Sequence, residues 1–251
     1  MNKEKVVFYC KNCGNEHAKW HGQCKYCKEW NSLKEKKVSS IRIKSQTEFG
    51  NYFKKENIPL RMSEIDSESE IRLVVKDDEW NNVLGGGLVP GSVSLISGEP
   101  GIGKSTLLLQ ISMKFDKRVL YVSGEESLSQ IKVRSERIGK GIGQTYFLSE
   151  TEIENIFEQI KEINPEILII DSIQTLHSKV IDGSPGSVNQ IRECSSELIK
   201  YAKNTGSAVM LIGHLTKDGN IAGPKVLEHM VDIVISFEGD NNHSYRILRA
   251  K

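Results

Sequence analysis

The segment Gly98-Glu99-Pro100-Gly101-Ile102-Gly103-Lys104-Ser105 constrains this chain more than any other. It fills every fixed position of the pattern G-x-x-x-x-G-K-[ST]. Its surroundings fit as well: an apolar β-branched run, residues 93–96, precedes it, and a helical pattern beginning at Thr106 follows. Glycines let the backbone curl until several N–H groups point at one phosphate, and the N-terminus of the next helix adds positive potential. In such a loop Lys104 reaches the β- and γ-phosphates of ATP, and the Ser105 hydroxyl ligates Mg²⁺. Gly98, Glu99, Pro100, Gly101, Ile102, Gly103, Lys104, Ser105 and Thr106 are the predicted ATP-binding residues.

The rest of the chain supplies a sheet on which such a loop can sit. Residues 93–97, 119–123, 167–170, 208–212 and 233–237 read as buried strands. Residues 152–163 place Ile153, Ile156, Phe157, Ile160 and Ile163 on one helical face, and residues 186–203 form a second helical pattern. Strands separated by helices imply parallel pairing in a twisted α/β sheet. Four apolar residues run into Asp171, which puts its carboxylate at a strand's C-terminal edge, where open α/β sheets bind ligands. There it is predicted to hold Mg²⁺ through water. The strand at 119–123 runs into Gly124-Glu125-Glu126-Ser127. Hydrolysis needs a carboxylate to polarise the attacking water, and Glu125 is the first candidate, Glu126 the second. The strand at 208–212 runs into Gly213-His214, where His214 can sense the γ-phosphate through a hydrogen bond.

Four of the five cysteines lie near the start, as Cys10-x-x-Cys13 and Cys24-x-x-Cys27. Two such pairs fit a tetrahedral Zn²⁺ site of four thiolates, structural because no coordination position stays open. Two disulfides would use the same residues, but no export signal opens the chain and a cytosolic compartment keeps thiols reduced. His17 and His21 lie in the same stretch and read as surface groups beside a complete shell. No run approaches the roughly 18 apolar residues of a membrane helix. The formal net charge of +1 hides an asymmetry, with 13 Lys/Arg against 6 Asp/Glu in residues 1–60 and 21 against 27 in the remainder. A basic arm on an acidic body suits a polyanion. The expected organisation is a zinc ribbon at 1–33, a basic linker at 34–58 with a local helix around 46–55, and an α/β ATPase domain at 59–251.

These residues carry a resemblance to the RadA/Sms family of bacterial DNA repair proteins, which have a RecA-like P-loop ATPase core behind a zinc finger. The matching segments include Lys19-Trp-His-Gly-Gln-Cys-Lys-Tyr-Cys-Lys-Glu-Trp-Asn, Leu84-Gly-Gly-Gly-Leu-Val-Pro-Gly-Ser, the phosphate loop, Tyr121-Val-Ser-Gly-Glu-Glu-Ser and Gly213-His-Leu-Thr-Lys-Asp-Gly. The resemblance implies a DNA-dependent ATPase that drives branch migration of recombination intermediates on single-stranded or branched DNA. It implies a ring, a hexamer, with ATP at subunit interfaces, a RecA-type recombinase as partner, and a cytoplasmic, nucleoid-associated location. It also implies that residues 178–190 and 216–224 are mobile channel loops in which Lys179, Lys217 and Lys225 contact the DNA backbone. The chain departs from the family at Val75-Lys-Asp-Asp-Glu-Trp-Asn-Asn, where a Thr-Gly stretch is usual. It stops short of the family's Lys-Asn-Arg-Phe-Gly motif and Lon-like C-terminal domain, so a truncated or naturally short form is expected. Two other readings use the same residues: a regulatory ATPase similar to KaiC, and an adaptor in which ATP only switches a zinc-anchored conformation.

Overall fold

The computed structural model describes residues 5–10, 16–17, 19–38, 59, 61–64, 72–139, 144–214, 226–239 and 245–251. The chain divides into two compact units, Met1–Glu48 and Phe49–Lys251.

The first unit is a three-stranded antiparallel sheet of β1 (Lys5–Cys10), β2 (Glu16–His17) and β3 (Leu33–Val38), in the order β2-β1-β3. Its apolar core is Cys10, Cys24 and Leu33, with Cys27 packed against it. A module this small cannot fold on burial alone, so a crosslink or metal must supply the difference. β3 pairs with β1 from Leu33 to Val38, so ordered structure continues past the boundary expected at residue 33. Cross-strand pairing extends that strand, although its Lys-rich sequence reads as linker. The helix expected around 46–55 lies outside the described residues.

The second unit is built on a seven-stranded sheet. Its strands are β4 (Val93–Gly98), β5 (Arg118–Ser123), β6 (Gln144–Ser149), β7 (Ile167–Asp171), β8 (Ala208–His214), β9 (Ile233–Gly239) and β10 (Arg246–Ala250). The order is β10-β9-β4-β8-β7-β5-β6, parallel throughout except that β10 runs antiparallel to β9. Every residue of β4 and β7 is buried. Helices cover both faces, which is why these strands read as continuous apolar runs.

The helices are α1 (Asp78–Val83), α2 (Lys104–Ser112), α3 (Leu128–Ile138), α4 (Ile153–Ile163), α5 (Val188–Thr205) and α6 (Val226–Met230). Side chains of the strands alternate between two cores. Leu95, Val122, Ile170 and Leu211 pack with Ile156, Phe157 and Ile160 of α4 and Leu198 of α5. Ile96, Tyr121, Ile169 and Ile212 pack with Trp80, Leu108, Leu109 and Ile131 on the other face. Each fully buried side chain of this kind contributes about 1.5–3 kcal/mol. The departure at residues 75–82 has a local solution: the Asp77 carboxylate caps α1 at the Trp80 N–H, and Trp80 is buried beneath the sheet.

The mostly parallel α/β sheet is as expected, but five of these helices and strands escaped the sequence reading: the short α1 and α6, and α3, β6 and β10. α3 buries only Ile131, so its stripe is too narrow to show. β6 and β10 are the edge strands, with few buried positions.

Candidate functional site

Register brings the predicted residues to one edge of the sheet. Ser123 is level with Asp171, and Gly98 with both His214 and Phe237. The parallel strands β4, β5, β7 and β8 therefore end together, and the loops that follow them converge. The phosphate loop follows β4. A methyl group on Gly98 would stand 2.4 Å from the Phe237 carbonyl oxygen, so only glycine lets β9 pair this closely at the loop's entrance. Gly101 and Gly103 hold φ of 81° and 111°, the curl that turns backbone N–H groups inward.

Lys104 is buried, and its Nζ donates to the carbonyl oxygens of Gly98 and Glu99 at 2.8 and 2.9 Å. Burial lowers its pKa, while Asp171 and Glu125 pull the other way. The Ser105 hydroxyl donates to Asp171 Oδ1 at 3.0 Å. Asp171 Oδ2 accepts from the buried Tyr121 hydroxyl at 2.6 Å. Burial raises the Asp171 pKa, which Tyr121 and Ser105 partly offset. Burial beside Asp171 drives the Tyr121 pKa well up, so it stays a neutral donor. Ser105 and Asp171 present oxygen atoms to one point beside the phosphate loop. That donor set suits Mg²⁺ with its usual retained waters.

Of the acidic pair, Glu125 joins this group and Glu126 pairs elsewhere. Glu125 Oε1 accepts from the Ser172 hydroxyl at 2.8 Å and lies 3.0 Å from His214 Nε2. The His214 contact is the largest cause of a lowered Glu125 pKa, ahead of the opposing burial. Glu126 forms an ion pair with Arg134 of α3 at 2.6 Å, and its backbone N–H donates to Ser123 Oγ. The two loops interlock: a methyl on Gly124 would lie 2.0 Å from Thr175 Oγ1. Tyr121 and Ser172 were missed in sequence because each lies in or beside an apolar run and nothing local marks its hydroxyl.

The segment 178–190 is held at its start. Gln190, buried on α5, accepts from the Ser178 N–H and donates to the carbonyl oxygens of Ser178, Ile181 and Gly183. Ser178 also donates to Glu154. Lys179 Nζ pairs with Glu152 at 2.7 Å. Lys217, Lys225 and the segment 216–224 lie outside the described residues. Cys194 is buried on α5, where burial pushes its thiol up to about 12 and leaves it inert.

In the first unit the sulfur atoms of Cys10, Cys24 and Cys27 lie within 4.8 Å of one another, with Cys10 and Cys27 at 3.5 Å. Thiolates around tetrahedral zinc stand roughly 3.8 Å apart, given Zn–S bonds of about 2.3 Å, so the three fit the ion. Cys13 lies outside the described residues. The surface reading of His17 is corrected: it is buried, with Nε2 3.4 Å from Cys24 Sγ and its ring edge against Tyr26. On β2 it stands opposite Phe8 of β1, and its ring turns to the side where Cys24 lies.

Fold and site define a P-loop nucleotide-binding core of the RecA-like type in the larger unit and a zinc ribbon in the smaller one. Residues 60–220 match the family described as AAA domain, and residues 8–35 match a rubredoxin metal binding domain. The chain belongs to the AAA-domain family, and its resemblance to the RadA proteins runs its whole length. It is 48% identical to the DNA repair protein RadA of Halalkalibacterium halodurans over 253 residues, and 45% identical to that of Bacillus subtilis. Each alignment takes in 100% of this chain and 55% of the relative. RadA of Listeria monocytogenes is 46% identical, over 99% of this chain and 54% of the relative. The chain thus spans about half the length of the curated relatives it matches. Among solved structures, the KaiC-like protein PH0186 of Pyrococcus horikoshii superposes with a TM-score of 0.55 at 18% identity. That match covers 77% of this chain and 88% of the other, and carries the fold alone. Among the described residues, no helix is long and apolar enough to cross a membrane.

Proposed function

We propose that this chain is the motor portion of a DNA-dependent ATP hydrolase acting in recombinational repair. The observation that carries the reading is Glu125, held by Ser172 and His214 at the same sheet edge as Lys104, Ser105 and Asp171. The loop glycines and Lys104 bind the phosphates. Lys104 exchanges its two carbonyl partners for phosphate oxygens. Ser105 and Asp171 would hold Mg²⁺, which neutralises charge on the phosphates when bound. Glu125 orients and polarises the attacking water, and its lowered pKa keeps it ionised for that role. His214 shares the same carboxylate oxygen, so a change at the γ-phosphate reaches the segment that follows β8. That segment contains Lys217 and Lys225, which with Lys179 are the proposed DNA contacts. Lys179 would leave Glu152 for a phosphate.

The zinc ribbon supports a nucleic-acid partner independently. Trp20, Tyr26 and Trp30 are each more than half exposed, amid exposed Lys19, Lys25 and Lys28. Aromatic faces with neighbouring cations suit stacked single-stranded bases. Similarity to RadA extends the proposal to branch migration by a hexameric ring in the bacterial cytoplasm, with a RecA-type recombinase as partner.

The test is steady-state ATP hydrolysis with and without single-stranded DNA at two salt concentrations. Strong stimulation that falls with salt is expected, with a log–log slope of about −0.7 per phosphate contacted. Tight ATP binding with no stimulation at either salt concentration would favour an ATP-switched regulator or adaptor.

A further inference from the structure

The phosphate loop has a second wall, and it carries a cation. Gly98 backs onto the Phe237 carbonyl, and a methyl on Gly239 would lie 2.9 Å from Ile102 Cδ1. The loop thus rests on the end of β9. Strand β10 returns beside it, with Arg246 opposite Gly239. Side chains on β10 alternate, and Leu248 packs into the core that α2 covers. Arg246 shares that face, which places it under the start of α2. A methyl on Gly103 would stand 3.2 Å from Arg246 Nη1 and 3.9 Å from the Phe237 ring.

The guanidinium therefore lies against the last glycine of the loop, where α2 begins. Arg246 is exposed, and among the described residues no carboxylate pairs with it. Several other cations of this unit do have a carboxylate partner: Lys114 with Asp77, Arg134 with Glu126, Lys203 with Asp232. An unpaired planar cation against a phosphate-binding glycine has one obvious complement. Guanidinium presents a fork of N–H donors that matches two phosphate oxygens, and it is charged at every working pH. Arg246 is also remote in sequence from the loop it touches, so the loop motif gives no sign of it.

We infer that Arg246 is a second phosphate-binding cation of the nucleotide site, reaching the polyphosphate from the β10 side while Lys104 reaches it from within the loop. The inference rests on the reading of residues 98–106 as the ATP site. Because Gly103 has no side chain, the guanidinium can approach the loop backbone; a β-carbon there would crowd it.

The experiment is equilibrium nucleotide binding by the full chain, read by competition of ATP and of inorganic tripolyphosphate against a fluorescent ADP analogue. The variants are Arg246→Ala, Arg246→Lys and Lys104→Ala, each checked for an unchanged melting temperature. Arg246→Ala should weaken ATP and tripolyphosphate alike, by about tenfold or more, the scale of one charge-assisted hydrogen bond. Arg246→Lys should recover part of the loss, because it keeps the charge and loses the fork. Wild-type affinity in Arg246→Ala, alongside lost binding in Lys104→Ala, overturns the inference and leaves the ATP site standing. Weakened ATP with unchanged tripolyphosphate also overturns it, placing the contact on the base or sugar. Unchanged binding in Lys104→Ala would instead remove the ATP site itself.

Discussion

At the scale of single residues, the site is built from two carboxylates, held by three hydroxyls and one imidazole. Tyr121 and Ser105 hold Asp171, and Ser172 and His214 hold Glu125. Each donor fixes a carboxylate oxygen before any substrate arrives, so less reorganisation is needed at the reaction. The coupling of His214 to Glu125 has a pH consequence. His214 is the largest cause holding the Glu125 pKa below its ordinary 4.5. A base must be ionised, so activity is lost only as pH falls through that lowered value. In His214→Ala the acid limb of the kcat profile should move upward in pH, measured from about pH 4 to about pH 8. An acid limb that stays put would separate His214 from the base. These assignments were only half legible. Lys104, Ser105 and Asp171 follow from local patterns, because a glycine loop and a strand ending in a carboxylate are contiguous in sequence. The sequence ranks Glu125 ahead of Glu126, but the contacts that separate them, Ser172 on Glu125 and Arg134 on Glu126, are not written in the Gly124-Glu125-Glu126 pattern.

At the scale of elements, legibility followed burial. β4, β5, β7, β8 and β9 are central and apolar, so their runs stand out; α4 has four buried residues at helical spacing. α3 is marked in the sequence only by its cap, where Ser127 and Gln130 bond reciprocally. The turn of the chain from β7 into α5 is a further case. Gln190 binds one N–H and three carbonyl oxygens of residues 178–183 from a buried position. Gln190→Ala leaves those groups without their partner and should destabilise the unit by about 1–3 kcal/mol. Thermal unfolding measures the loss, and limited proteolysis should show new cleavage within residues 178–187. Unchanged melting and cleavage would mean the segment is held by other contacts. If this segment meets DNA, Gln190 sets where it starts and leaves only the part beyond Gly183 free to respond.

At the scale of the whole molecule, two units obey different stability rules. The larger buries two extensive apolar layers around its sheet, whereas among the described residues the smaller has three core residues, two of them cysteines. The smaller should therefore depend on zinc and the larger should not. Replacing both Cys24 and Cys27 with Ser should abolish bound zinc, measured by metal analysis, and unfold residues 8–35 while the melting transition of the larger unit persists. Zinc retained at full stoichiometry would rule out the four-cysteine site. The fold class was readable from spacing and periodicity. The end of the ribbon was not, because β3 is polar and is fixed by its partner strand β1 rather than by burial.

The central claim is that the Glu125 carboxylate polarises the attacking water. Single-turnover ATP hydrolysis by the wild-type chain and by Glu125→Gln, with ATP binding measured in parallel, tests it most directly. The account predicts unchanged binding and hydrolysis slowed by about 10²-fold or more, the usual contribution of a positioned base. Hydrolysis by Glu125→Gln at the wild-type rate would contradict it.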